Sequence, residues 1–176
     1  MRTRLPIVIA LIVSFAAGVA TTLAAKRVFE PGAYFAGKEP KAAAAALLAT
    51  AEQLAGTGSW ERIGVGRVHY LSGDKAKGQA LFDLAISKKT AASDLYRIAT
   101  VYALAKEWDK AKPLLERAIA MNPTDDTSMV EAAAWFNLNG ERARAEELFG
   151  TAFAKNPDEL WHYINAAGSY LGQPPF

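Results

Sequence analysis

From residue 59 onward, apolar and small residues return at intervals of three and four, the spacing that gathers them on one face of a helix. Comparing the chain with itself at a shift of 33 or 34 residues turns this into a ladder. Small residues stand at Gly66, Ala99, Ala133 and Ala167, and three positions after each comes a ring: His69, Tyr102, Phe136 and Tyr170. Gly78, Ala111 and Ala145 follow, each with a large apolar residue four positions on (Phe82, Leu115, Phe149) and an alanine three further (Ala85, Ala118, Ala152). Breaks at 72–74 (SGD), 105–107 (AKE) and 139–141 (NGE) divide each unit in two. Asn122-Pro123 and Asn156-Pro157 close one unit and open the next, since proline disfavours helix in the residue before it but suits a first helical turn. Asp125, Asp126, Asp158 and Glu159 then place negative charge at the positive end of the following helix. The pattern predicts helical hairpins stacked side by side, with small residues at the close crossings and rings between neighbours. Pro113 falls inside a second helix and predicts a bend on its outer face.

Residues 5–25, "LPIVIALIVSFAAGVATTLAA", carry no charge over 21 positions. As a helix they span about 31 Å at ~1.5 Å per residue, enough for a hydrocarbon core of roughly 30 Å. Arg2 and Arg4 precede them, and Lys26 and Arg27 follow. Residues 1–27 are therefore expected to be a transmembrane anchor. A signal peptide cut near Thr22-Leu23-Ala24 is the competing reading. Ala10, Ser14, Ala17, Gly18 and Thr21 offer a side of small residues on which another membrane helix can pack. The short basic N-terminal tail points to a single-pass protein of a bacterial inner membrane, its soluble part in the periplasm. Residues 28–40, with Pro31, Gly32, Gly37 and Pro40, read as a linker. Residues 41–58 read as a helix stopped by Gly56, either a capping helix or a degenerate repeat.

Composition narrows the chemistry. Hydrophobic residues make up 51% and charged residues 22% of the 176, enough for a core and too apolar for wholesale disorder. The absence of cysteine excludes disulfides and thiolate chemistry. A net charge of +2 with mixed signs gives no nucleic-acid footprint. The two histidines are far apart: His69 falls at a ring-packing position, and His162 reads as surface. Gly64-Val65-Gly66 lacks the third glycine of a dinucleotide motif. No catalytic residue, cofactor or metal site is expected.

These residues resemble the tetratricopeptide repeat family. The resemblance covers 59–176, as units 59–91, 92–125 and 126–159 and a closing helix at 160–172. The middle unit, "LYRIATVYALAKEWDKAKPLLERAIAMNP", keeps the family pattern best, while the first has His69 for an aromatic, Gly78 for alanine and Thr90 for proline. The resemblance implies an all-α solenoid whose first helices line a hollow face that binds peptides or helices. Carried over by position, that face comprises Trp60, Ile63, Arg67, Tyr70 and Leu71, then Ser93, Tyr96, Thr100, Ala103 and Leu104. Thr127, Val130, Ala134, Asn137 and Leu138 continue it, and Trp161, Ile164, Gly168 and Leu171 close it. Only Arg67 and Asn137 are of the type that clamps a partner's terminal carboxylate in some members, so the expected ligand is an amphipathic helix or apolar segment. Packing against adjacent repeats, cover by the protein's own residues 28–58, or packing in an oligomer is the alternative use of the same face. The function expected is a membrane-anchored scaffold or adaptor, serving assembly of an envelope or respiratory complex. A permanent structural subunit held through its transmembrane helix, or a peptide-binding protein free in the periplasm, are the alternatives.

Overall fold

A computed structural model describes residues 30–176. A 3-10 turn at Pro31–Tyr34 leads into eight α-helices among these residues: α1 (Pro40–Ala55), α2 (Ser59–Leu71), α3 (Lys75–Ile86), α4 (Ala92–Leu104), α5 (Trp108–Met121), α6 (Asp126–Leu138), α7 (Arg142–Lys155) and α8 (Leu160–Tyr170). The run at 5–25 expected to cross a membrane, with its packing residues Ala10, Ser14, Ala17, Gly18 and Thr21, lies outside the described residues. Among the described residues, no helix is long and apolar enough to cross a membrane.

Each break has a local cause. Gly73 and Gly140 turn the first and third hairpins in the left-handed region, and Lys106 takes that conformation in the second (φ 60°), without glycine's freedom. Asp74 begins α3 by accepting a hydrogen bond from the Lys77 amide at 3.2 Å. Asp125 begins α6 by accepting from the Ser128 amide and hydroxyl at 3.1 and 2.7 Å. Glu159 does the same for α8, from the Trp161 amide at 3.1 Å. Asn122 and Asn156 leave the helical region (φ −138° at both, ψ 69° and 80°), in keeping with the prolines that follow them. Pro113 is exposed within α5, which runs through it from Trp108 to Met121.

The hairpins α2–α3, α4–α5 and α6–α7 hold together through small residues. A Cβ on Gly78 would stand 2.7 Å from the Gly66 carbonyl oxygen and 2.9 Å from the Tyr70 nitrogen, both backbone atoms that cannot swing aside. The later hairpins accept alanine at this crossing, where Ala99, Ala111, Ala133 and Ala145 are fully buried. The departure of Gly78 from alanine is thus a closer helix approach. First helices pack in succession, α2 on α4, α4 on α6, α6 on α8, whereas among the described residues second helices do not approach as closely, α5 and α7 meeting through the Glu116–Arg144 ion pair at 2.8 Å. The first helices therefore form an inner row.

Rings and charges join successive hairpins. Tyr70, Phe82 and Tyr102 form a triangle of centroids 5.4–5.9 Å apart across the first junction. Trp108 meets Phe136 edge-on at 5.2 Å across the second. Glu107, just before α5, accepts from the Tyr70 hydroxyl at 2.6 Å and from Lys110 at 2.7 Å, and also pairs with Lys75. Glu141, 34 residues on, repeats the device with the Trp108 indole and Lys112, each at 2.7 Å. Hydrogen bonds from Lys110, Lys75 and Tyr70 hold the Glu107 carboxyl down at about 2.

Several expected positions differ. Tyr70, read as groove-lining, is 2% exposed because its ring fills the first junction. Val130 is fully buried in the same continuous core. His69 does not pack as a core ring: it is half-buried and bonds Glu52 of α1 at 3.0 Å, while Glu52 also holds Lys77 at 2.8 Å. His162, read as surface, is 1% exposed and stacked on Phe153 at 6.0 Å. Ala167 and Tyr170 are exposed, because no further second helix covers that side of α8 among the described residues.

Gly78→Ala is expected to cost about 1–3 kcal/mol, since backbone must shift to admit the methyl. Gly150→Ala, exposed in α7 with nothing near its Cβ, is expected to gain about 0.5–1 kcal/mol. Thermal unfolding of both variants measures the difference; a neutral Gly78→Ala would refute the close crossing. Glu107 carries a lowered pKa, so its stabilisation is complete above the ordinary value of 4.5 and lost as pH falls toward about 2. Glu107→Gln should cost about 1 kcal/mol at pH 7, allowing for the solvent that reaches the pair, and nearly nothing at the acid limit. Denaturant titrations across that range check the convergence.

Candidate functional site

The inner row of first helices bounds a hollow of about 420 Å³. Ile63 on α2 and Tyr96, Thr100 and Leu104 on α4 supply its floor and side. Trp60, 62% exposed, stands at one rim with the Arg97 guanidinium 3.8 Å from its ring centroid, a cation–π contact that spans α2 and α4. Arg97 Nη1 also lies 3.8 Å from the carboxylate of the buried Asp94, three residues before it on α4. Trp135 of α6 closes the far side together with Pro174, Pro175 and Phe176. A second hollow, about 400 Å³, lies beyond this tail between α6 and α8, where Thr127, Glu131, Trp161 and Asn165 meet Phe176. A third, about 430 Å³, runs past Leu104, Trp135 and Leu138 to Pro174.

The hollow face is apolar in its floor and charged at its ends. Arg67 and Arg97 stand at the α2–α4 side, Glu131 and Glu159 at the α6–α8 side. Burial raises the Glu131 carboxyl above its ordinary range and Asp125 adds to this, while the Tyr96 hydroxyl and Arg97 oppose it. The Tyr96 hydroxyl is raised far above its usual value, by burial first and then by Glu131 beside it. Tyr96 and Glu131 are thus a shared polar seam between α4 and α6 in an otherwise apolar wall. Among the described residues, no three histidine, aspartate or glutamate side chains converge as metal ligands would.

Of the residues expected to face a ligand, Trp60, Ile63, Arg67, Tyr96, Thr100 and Leu104 meet around the first hollow. Trp161 and Thr127 stand in the second hollow, and Leu138 and Ala103 in the third. Asn137 does not face the cavity, since its amide donates to Ser169 of α8 at 3.0 Å and so ties two helices. Ala134 is fully buried, and Ile164 and Gly168 are half-buried outside the three hollows. Ser93 and Leu171 are exposed away from them, and so is Leu71.

Two columns of the ladder were missed. Gly64, Arg97, Glu131 and Asn165 share one repeat position and all line these hollows. Val101 and Trp135 share another, and they line the first hollow too. Extending the same 33- and 34-residue comparison by one position would have found both. The proline-bearing tail has no counterpart in the ladder, and no periodic signal marks it.

No family model matches the chain, and neither does any curated protein. Among solved structures it is similar to the crystal structure of YrrB, a TPR protein with an unusual peptide-binding site. The TM-score is 0.50 at 20% sequence identity, with 74% of this chain and 68% of that one covered. The likeness speaks for the fold: an all-α helical solenoid of the tetratricopeptide-repeat kind.

Glu131 carries a raised pKa, so its contribution to stability is present below the ordinary 4.5 and lost as pH rises through the raised value. Glu131→Gln should therefore unfold at a higher temperature than the unaltered chain at pH 7.5, with the gap closing toward pH 4. A lower melting temperature at pH 7.5 would contradict the raised pKa of this half-buried carboxyl.

Proposed function

We propose that this protein is a non-catalytic scaffold that binds an extended or helical segment of a partner protein along the hollow face of its first helices. One observation carries the reading: an apolar cavity of about 420 Å³, floored by Ile63, Tyr96 and Leu104 and rimmed by Trp60 stacked with Arg97. Aromatic and arginine side chains around a partly desolvated pocket are the usual anchors of protein recognition. Exposed apolar surface of this kind usually marks an interaction site. The fold shared with a peptide-binding TPR protein supports the same reading.

The reading extends to place. The uncharged 21-residue run at 5–25 supports a membrane anchor, which would hold the solenoid beside the bilayer for assembly of an envelope or respiratory complex. The two arginines before that run support a bacterial inner-membrane protein with its solenoid in the periplasm.

Tyr96→Lys with Leu104→Lys should abolish co-purification of the partner with the full-length chain while leaving helical circular dichroism intact. Trp60→Ala, which removes an exposed rim residue, should weaken capture at least about tenfold, on the scale of a hot-spot truncation. Unchanged capture in both variants would refute the hollow as the binding face. Deleting residues 1–27 tests the anchor: loss of membrane association with capture retained is expected, and loss of capture would make the N-terminal run the recognition element.

A further inference from the structure

After α8 the chain does not leave the molecule. Gly172, in the left-handed region at φ 78°, turns it back, and residues 172–176 (Gly-Gln-Pro-Pro-Phe) lie along the hollow face. This strap is a shared wall of all three hollows: Pro174 borders the first and third, and Phe176 the first and second. Cavities of about 420, 400 and 430 Å³ are thus separated by a five-residue segment rather than by a helix. Moving the strap would join them into one groove running from Trp60 to Trp161.

The strap is held in a way that another peptide can copy. Three hydrogen bonds fix it, all from its backbone: the Gly172 amide donates to the Ser169 carbonyl at 3.2 Å, the Gln173 amide to the Gly168 carbonyl at 2.9 Å, and the Phe176 amide to Asn165 Oδ1 at 3.1 Å. Asn165 is 5% exposed, so its side-chain acceptor is a built feature of the face. Pro174 and Pro175 have no amide hydrogen to leave unsatisfied against an apolar wall, and their fixed φ lowers the entropy lost on seating. The Phe176 ring is 87% exposed and touches Trp161 only edge-on, at 6.0 Å, so its main apolar surface is not spent. A segment that is seated by backbone bonds, with its largest side chain still in water, is readily displaced.

Resting on the peptide-binding reading above, we infer that residues 172–176 are an internal, displaceable occupant of the groove, and that the partner segment which replaces them has the same chemistry: extended, proline-bearing, with an aromatic side chain beside Trp161. The strap makes binding competitive. A tethered segment acts at an effective concentration on the order of millimolar, so a partner must outbid it before it reaches the whole groove.

The probe is a fluorescein-labelled, end-capped Gly-Gln-Pro-Pro-Phe peptide added to the full-length chain. A variant lacking residues 174–176 loses the Phe176 amide bond to Asn165 and both proline contacts, and so frees the groove while leaving every helix intact. It should bind the probe about tenfold more tightly than the unaltered chain, the factor expected of a strap seated roughly 90% of the time. Adding Trp161→Ala, an exposed residue, to that variant should undo the gain. Equal affinity in the unaltered and freed chains, or no saturable binding by the freed chain, overturns the inference. If that happens while capture of the partner still depends on Tyr96 and Leu104, the strap proposal alone falls. If capture is also insensitive to those residues, the binding face itself is wrong.

Discussion

The fold rests on how closely the two helices of a hairpin can approach. At Gly66 and Gly78 the approach leaves no room for a methyl, and in the later hairpins fully buried alanines stand at the same crossing. Close pairing brings the large residues of each second helix, such as Phe82 and Leu115, down onto the first helix and into the core. It also places the acidic residue before each second helix within reach of the preceding hairpin, as Glu107 reaches Tyr70 and Glu141 reaches Trp108. Two short hydrogen bonds 34 residues apart in sequence thus follow from one packing constraint repeated. Because second helices take the outside, the first helices are left side by side, and the hollow face is the consequence.

Much of this was written in the sequence, for a physical reason. A repeat imposes its packing at a fixed interval, so small residues, rings and asparagine–proline pairs recur where the same contact recurs. What failed were details that depend on rotation about a helix axis. A helix turned slightly toward its partner moves one column of residues inward and the next into view. Tyr70 and Val130 went into the core this way, while Arg97, Glu131 and Trp135 came to the surface of the hollow. Departures from the repeat were also hard to read. His69 looked like a poor core ring and is instead half of a bond to Glu52 of α1, a helix outside the ladder. His162 reads as surface from the sequence, yet Phe153 covers it. The tail at 174–176 has no repeat partner, so periodicity says nothing about its place.

The hollow face and the strap share one logic. The floor is apolar and rigid, being made of side chains on helices locked by the hairpin crossings. Its polar points are few and placed: Arg97 over Trp60, the Tyr96–Glu131 seam, and the buried Asn165 acceptor. Such a surface offers shape and a few directional contacts, which suits recognition of a short segment. A short segment of compatible chemistry seated on it shows how little is required to occupy the face.

The central claim is that partners meet this protein on its inner row and not on its outer helices. Site-specific photo-cross-linking in living cells tests it directly, with a photoreactive phenylalanine analogue placed at Trp60, Arg67 or Leu104 on the hollow side, or at Arg117 or Ala154 on the exposed side of the second helices. Adducts to another protein from the first three positions and none from the last two are predicted. Adducts from Arg117 and Ala154 alone would contradict the account.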